Sequence, residues 1–283
     1  MKETRINKFL SEAGYCSRRA ADRLIDENRV TINGEVPLMG TKIVEGDIVK
    51  VDGKLIIKKE EKPVYIALNK PVGIVCTTDT HVEKDNIIDF MNYPKRIFPI
   101  GRLDKASQGL ILLTNDGDIV NKILRAKNNH QKEYIVQVNK EITEDFLQKM
   151  RDGIPIFDII TNKCEVEQVG KYRFKIILTQ GLNRQIRRMC EYLDFRVILL
   201  RRIRIMNIHL DVNIGEFRDL TQSELDELNE LIKESTKTFK AETKAEIEAG
   251  TEPETKTSVE LDIEPEVKIE PEIESDPKTD EEA

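Results

Sequence analysis

The sequence predicts an α+β fold in three parts. A small unit over residues 1–57 precedes a larger domain over 64–235, built on a mixed, mainly antiparallel sheet. A disordered acidic tail over 236–283 follows. Three observations carry this. Residues 1–57 place two short helical patterns ahead of brief alternating strands. From Val64 onward, strand-like runs outnumber the helical stretches between them. Beyond residue 236 the chain turns to Glu, Lys, Thr and recurrent Pro, with too little apolar surface to offset its ordering entropy.

The elements follow in order. Ile6, Phe9, Leu10 and Ala13 recur at helical spacing, and Gly14 ends that helix. Ser17 is placed to cap a second helix, with Ala20, Ala21, Leu24 and Ile25 inward. Val30-Thr31-Ile32 alternates, Asn33-Gly34 turns, and short apolar runs to Leu55 complete a small twisted sheet. Residues 58–63 form a charged linker closed by Pro63. Val64 to Leu68 reads as a strand, and Asn69 to Gly73 as the turn after it. Asp118 can cap a helix that turns Ile119, Val120, Ile123 and Leu124 inward. Lys132 to Val138 alternates as a half-buried strand. Thr143 opens a helix whose apolar side is Phe146, Leu147 and Met150. Phe174–Thr179 and Val197–Ile205 read as strands, with a basic helix over Leu182–Leu193 between them. Thr221-Gln222-Ser223-Glu224 is a capping box for a last helix.

Composition narrows the function classes. The 283 residues carry a formal net charge of −7. Residues 241–283 alone hold four Lys and 16 Asp and Glu, a net of −12. The body therefore has a net of +5, weakly consistent with a nucleic-acid partner. No apolar run approaches the roughly 20 residues of a membrane span, and Met1 to Arg5 lacks a signal-peptide core. A cytoplasmic protein without a membrane partner is expected. Cys16, Cys76, Cys164 and Cys190 are scattered and form no C-x-x-C pair, which fits a reducing compartment. His81, His130 and His209 share no ligand spacing, so no metal site is expected. No P-loop or dinucleotide fingerprint occurs, which agrees with an expectation of no cofactor but does not by itself carry it.

Two features point to a site. On the two N-terminal helices, Arg5, Lys8, Arg18, Arg19 and Arg23 fall outside the apolar positions. Any one of them alone reads as a solvated helix face; five on adjacent helices read as a phosphate-binding surface. The stretch from Phe98 to Leu110 sets Arg102 and Asp104 on a turn between apolar runs, with Gly101 and Gly109 bracketing the polar residues. By itself this turn reads as a solvated loop holding a local ion pair.

Two resemblances change that balance. Residues 4–53 resemble the small RNA-binding domain named after a small-subunit ribosomal protein, the S-four domain. The likeness rests on Arg5-Ile6-Asn7-Lys8-Phe9-Leu10, Ser17-Arg18-Arg19, Val30 to Gly34 and Glu45-Gly46-Asp47-Ile48-Val49. Behind it stand Gly101-Arg102-Leu103-Asp104, Lys132-Glu133-Tyr134 and the run from Gly181 to Cys190. In that order they closely resemble the pseudouridine synthases of the RsuA/RluB/RluE/RluF group, and the RluF type most. The resemblance spans residue 4 to about residue 220. It implies an α+β fold with an S-four-like RNA-binding head and a pseudouridine synthase catalytic domain. The implied reaction breaks the uracil N-glycosidic bond, turns the base and rejoins it through ring carbon five.

The resemblance also implies roles. Asp104 is the catalytic aspartate, which either attacks the anomeric carbon or removes a ribose proton; both routes stay open. A shielded carboxylate stays ionised only beside an opposite charge. Arg187 matches the basic residue that supplies it, because guanidinium stays charged and can bind both oxygens. Tyr134 matches the active-site tyrosine, whose ring stacks on the detached base. Arg102 matches the residue that fills the stack vacated by the flipped nucleotide. Arg184 and Arg188, with Arg201, Arg202 and Arg204, fit phosphate binding better. Lys70 and Lys105 read as RNA or structural contacts. The expected partner is ribosomal RNA, 23S rRNA or an assembly intermediate carrying it, met by a monomer. A non-catalytic RNA-binding assembly factor and a small-subunit (16S) enzyme are the alternatives. The catalytic reading requires Asp104, Tyr134 and Arg187 to converge in one basic cleft, with Asp104 within about 10 Å of Arg187.

Overall fold

The structure, a computed structural model, describes residues 3–58, 62–79, 82–124, 129–233 and 235. Part of the expected linker, 59–61, and the expected acidic tail, 236–283, lie outside the described residues.

The N-terminal unit runs β1 (Thr4–Arg5), α1 (Ile6–Glu12), α2 (Arg18–Asp26), β2 (Val30–Ile32), β3 (Lys42–Ile43), β4 (Val49–Val51) and β5 (Lys54–Leu55). Gly14, at φ +76°, follows the end of α1, and the Ser17 hydroxyl accepts from the Ala20 N–H at 3.1 Å to start α2. Ile6, Leu10, Ala21 and Ile25 pack on Val30, Val49 and Val51, so this unit has its own core. Its strands form two small sheets, β1–β3 and β2–β4–β5, where the sequence pattern suggested one.

The larger domain continues with β6 (Tyr65–Lys70), α3 (Ile87–Met91), β7 (Phe98–Ile100), β8 (Gln108–Thr114) and α4 (Gly117–Leu124). Next come β9 (Lys132–Val138), α5 (Glu144–Asp152), β10 (Pro155–Ile156), β11 (Ile159–Ile160), β12 (Glu165–Gly170) and β13 (Arg173–Leu178). The chain then forms α6 (Gln185–Tyr192), β14 (Val197–Ile205), β15 (Ile208–His209), β16 (Phe217–Asp219) and α7 (Gln222–Leu231). A nine-stranded sheet runs β12-β13-β9-β14-β8-β6-β16, with β15 beside β14 and β7 beside β8. Its pairings are antiparallel except β14–β8, which is parallel through Arg201 opposite Gln108 and Arg202 opposite Gly109.

β8 sits inside the sheet with apolar layers on both faces, which explains its unbroken Leu110-Ile111-Leu112-Leu113 run. Ile111 and Leu113 join the layer of Tyr134 and Val136. Leu110 and Leu112 join that of Ile119, Ile123 and Ile205. The same strand pins the polar turn, because β7 pairs back along it from Phe98 opposite Thr114 to Ile100 opposite Leu112. Residues 101–107 must therefore leave and re-enter at one end of the sheet.

Two local expectations need correction. Asp118 does not cap α4: the Asp116 carboxylate accepts from the Asp118 N–H at 2.9 Å, and the Asp118 carboxylate instead meets Lys8. The basic helix is shorter than Leu182–Leu193. Arg184 takes a left-handed conformation at φ 51°, so α6 begins at Gln185. By contrast, the Thr221–Glu224 capping box opens α7 as the spacing predicts.

Candidate active site

The turn after β7 is held from several sides. Ser107 N–H donates to the Asp104 carbonyl at 3.0 Å, and Gly73 N–H donates to the Lys105 carbonyl at 2.8 Å. The buried Cys76 thiol lies 3.3 Å from the Leu103 carbonyl. Gly101 has φ +81°, and a Cβ there would meet Leu124 Cδ2 at 2.8 Å. Gly109 is more constrained. It has φ +110°, and a Cβ would fall 2.3 Å from the Arg202 carbonyl oxygen, inside the β8–β14 contact. Asp104 is thus presented on a braced loop, with its side chain 37% exposed.

α6 supplies the countercharge. Its Met189, Cys190 and Ile186 are buried, and the same face turns Arg187 inward, 8% exposed. Arg187 Nη2 donates to the Ala106 carbonyl at 2.9 Å and to Ser107 Oγ at 3.0 Å. Its Nε stands 3.8 Å from Asp104 Oδ2. That is an ion-pair distance, longer than a hydrogen bond. Burial pulls the Arg187 guanidinium below its usual range, and the nearby Asp104 charge opposes that pull. Because Asp104 is partly solvated, the contact orients the carboxylate more than it stabilises the fold.

A cavity of about 440 Å³ opens between this turn, β9, α6 and β14. Arg102, Asp104, Tyr134, Arg184 and Arg187 all line it. Alternation on β9 turns Tyr134 into the cavity, 9% exposed, beside its cross-strand neighbour Arg202. The Arg202 guanidinium carbon lies 5.9 Å from the Tyr134 ring centroid. Arg102 is exposed at the rim, and Arg184 is exposed with Glu191 at 3.8 Å. Arg188 is not among the lining residues; it stacks 4.3 Å from the Phe157 ring centroid and donates to the Asn183 carbonyl.

On the N-terminal unit, Arg5, Arg18, Arg19 and Arg23 are exposed. Lys8 departs from the expected surface role. Its ammonium is held by Asp118 at 2.6 Å and Glu12 at 3.2 Å, joining the two parts of the molecule. Phosphate binding also fails for two arginines of β14. Arg202 is 4% exposed and donates to the Leu110 carbonyl at 2.7 Å; Arg204 pairs with Glu133 at 2.7 Å. Lys70 is a structural contact, fully buried and donating to the Pro71 and Ile74 carbonyls at 2.8 Å. Sequence reasoning missed Ser107, Lys132 and Arg202 as cavity residues. The signal for Lys132 was available, since it stands two residues before Tyr134 on the same strand face.

The arrangement can hold a nucleotide whose base lies on an aromatic ring and whose sugar meets a paired carboxylate. Comparison with known proteins agrees with that capacity. Residues 64–192 match the RNA pseudouridylate synthase family, and residues 4–36 match the S4 domain. The dual-specificity RNA pseudouridine synthase RluF of Salmonella typhi is 56% identical over 244 residues, 86% of this chain and 84% of that one. The Bacillus subtilis ribosomal large subunit pseudouridine synthase B is 34% identical over 83% of this chain and 99% of its own. A crystal structure of a pseudouridylate synthase superposes with a TM-score of 0.59 at 31% identity, covering 79% of this chain and 99% of that one. With an S4 domain ahead of a matching catalytic fold, and such identity along most of its length, the chain belongs to the RNA pseudouridine synthases, in their RluF-type branch.

Proposed function

We propose that this enzyme converts a specific uridine of large-subunit (23S) ribosomal RNA to pseudouridine, with Asp104 as the carboxylate that acts on the ribose. The observation that carries this reading is the Asp104–Arg187 contact of 3.8 Å in a cavity that Tyr134 also lines. The division of labour follows the geometry. Arg187 pairs with Asp104 and aims it; Tyr134 takes the detached base on its ring; exposed Arg102 fills the vacated stack. Arg5, Arg18, Arg19 and Arg23 on a head of residues 1–57, with Arg184 and Arg188 on the catalytic domain, hold the RNA backbone. The enzyme works as a cytoplasmic monomer. Among the described residues no helix is long and apolar enough to cross a membrane.

Large-subunit RNA is favoured by the name of the Bacillus relative, a ribosomal large subunit pseudouridine synthase. The name of the RluF relatives, "dual-specificity", favours a second reading in which the enzyme takes two RNAs. Asp104→Asn keeps the shape of the side chain and removes the charge. It should lower the single-turnover rate by at least about 10³-fold. Carbodiimide labelling with primer extension reads the product, and a wild-type rate in this variant would sink the mechanism. Mapping pseudouridines in total RNA from a strain lacking the gene separates the substrates. Loss of a site in 23S rRNA alone supports the main reading, and a second lost site in another RNA supports the dual one. An unchanged map would favour a non-catalytic assembly factor.

A further inference from the structure

The cavity holds more positive charge than the proposed reaction has so far used. Among its described lining residues Asp104 is the sole acid, against Arg102, Lys132, Arg184, Arg187 and Arg202. Arg102 and Arg184 are exposed and can meet backbone phosphates, and Arg187 serves Asp104. Lys132 and Arg202 remain, and both lie deep, 8% and 4% exposed. Burying two like charges side by side is unfavourable unless something answers them.

Nothing in their surroundings answers them fully. No carboxylate forms an ion pair with either among the described residues. Lys132 Nζ donates to the His130 carbonyl at 3.1 Å. Arg202 spends Nε on the Leu110 carbonyl and reaches the Arg102 carbonyl with Nη1 at 3.5 Å, while its Nη2 is buried with no hydrogen-bond partner. Burial and the neighbouring Arg202 push the Lys132 ammonium down to about 8. The backbone fixes this pair as firmly as it fixes Tyr134. Lys132 and Tyr134 share one face of β9, and Arg202 is the cross-strand neighbour of Tyr134 on β14. An irregular register between Arg202 and Arg204 bends β14 at that point.

The reaction creates an anion in this position. On either route open to Asp104, the N1–C1′ bond breaks and its electron pair departs with the base. In the nucleophilic route an Asp104 oxygen bonds to C1′. In the other, Asp104 takes a ribose proton. Both routes neutralise the carboxylate and leave the unit charge on uracil, spread over N1, O2 and O4. The base then bonds to C1′ through C5, either displacing the Asp104 carboxylate or with return of its ribose proton; the C5 proton then passes to solvent while N1 takes up a proton, which leaves neutral pseudouridine and an ionised carboxylate. The negative charge thus moves away from Arg187 toward whatever borders the base. A base stacked on Tyr134 would have Arg202 as a neighbour, because Arg202 is the cross-strand partner of Tyr134 and its guanidinium carbon lies 5.9 Å from the ring centroid.

We propose that Lys132 and Arg202 are further catalytic residues, a cationic seat that binds the carbonyl oxygens of the detached uracil and stabilises it as the leaving anion. This inference rests on the pseudouridine synthase reading above. Preorganised charge aimed at an anion that forms only during the reaction acts on the chemical step rather than on binding.

The test compares two saturating RNA substrates in single turnover, one with uridine and one with 5-fluorouridine at the target position. Fluorine at C5 withdraws electrons and makes the base a better leaving group, so it needs less help from the protein. Loss of the nucleoside from nuclease digests reports cleavage and reattachment in both. Lys132→Met should slow the uridine substrate by about 10²-fold. It should slow the fluorinated substrate at least about tenfold less, with RNA affinity unchanged. Lys132→Arg should recover most of the rate, and Arg202→Gln, checked for folding by thermal melting, should repeat the Met pattern. Equal losses on both substrates while wild type is active would overturn the inference alone, since a packing role or a phosphate contact slows both alike. A wild-type uridine rate in Lys132→Met would also overturn it. Wild-type inactivity on every RNA overturns the underlying reading as well.

Discussion

The buried arginines of the candidate active-site cavity and those of the N-terminal head are the same side chain set in opposite surroundings. In the cavity, Arg187 and Arg202 are buried, and backbone carbonyls of the β7–β8 turn and of β8 hold their guanidinium groups. On the head, Arg5, Arg18, Arg19 and Arg23 stand exposed on and beside two short helices. A fixed charge is costly to bury but needs no reorganisation when a reacting group changes its own charge. A displayed charge costs little and suits a polyanion whose exact position varies. The buried cavity arginines should therefore govern rate and the exposed head arginines affinity, which gives the comparison a form that can be broken.

The largest effect should come from Arg187. Replacing it with Met keeps much of the buried stem and removes the countercharge of Asp104, together with hydrogen bonds to Ala106 and Ser107. The single-turnover rate at saturating RNA should fall by about 10²–10³-fold, with affinity changed less than twofold. Should affinity collapse while the saturated rate held, Arg187 would belong with the head arginines, bound to phosphate.

How far the residues announced this division differs from one to the next. Ser17, Thr143 and Thr221 signalled helix starts by local chemistry, and the structure places a cap at each. The strand alternation of Lys132 to Val138 is equally local, and it was legible. The five-residue helix α3 spans little more than one 3.6-residue turn, too short for a repeating pattern to reveal it. The partners of the β14 arginines were hidden for a different reason. Arg201, Arg202 and Arg204 are identical letters, yet pairing with β8 and β9 buries one against Leu110, pairs another with Glu133 and leaves Arg201 half-buried. Lys8 was misread in the same way, because Asp118 is 110 residues away in sequence. Caps and periodicity are written within a few residues, whereas the fate of a charge is decided by what folds against it.

On the head, Arg18→Ala with Arg19→Ala should weaken RNA binding roughly tenfold and leave the rate at saturating RNA within twofold. The plot of log affinity against log salt should flatten, by about 0.7–0.9 for each phosphate that the variant no longer neutralises. An unaltered salt slope would remove these two residues from the RNA surface.

Lys8 predicts the smallest effect and sets the sharpest boundary, because it lies on the head but behaves like neither group of arginines. Its side chain is 26% exposed, and its ammonium sits between Glu12 and Asp118. Burial lowers its pKa, but the bonds to Asp118 and Glu12 outweigh this and raise it above 10.5. Burial raises Glu12, but Lys58 and Lys8 bring it below 4.5. A raised lysine contributes stability that is complete below its unfolded pKa and is lost as pH rises through the folded one. A depressed carboxylate contributes stability above its unfolded pKa, lost as pH falls through the folded one. The cluster is thus strongest between about pH 4.5 and 10.5. Since Asp118 is 35% exposed, solvent screening keeps the value small. Lys8→Met should cost about 0.2–1 kcal/mol in that window, with a coupling of similar size in a cycle with Asp118→Asn. The salt slope of RNA binding should stay as in wild type. If Lys8→Met instead flattened the slope as the Arg18 and Arg19 changes do, with no coupling to Asp118, the lysine would be a displayed charge after all. Charge on the head would then be divided by helix face rather than by what each residue meets across the interface.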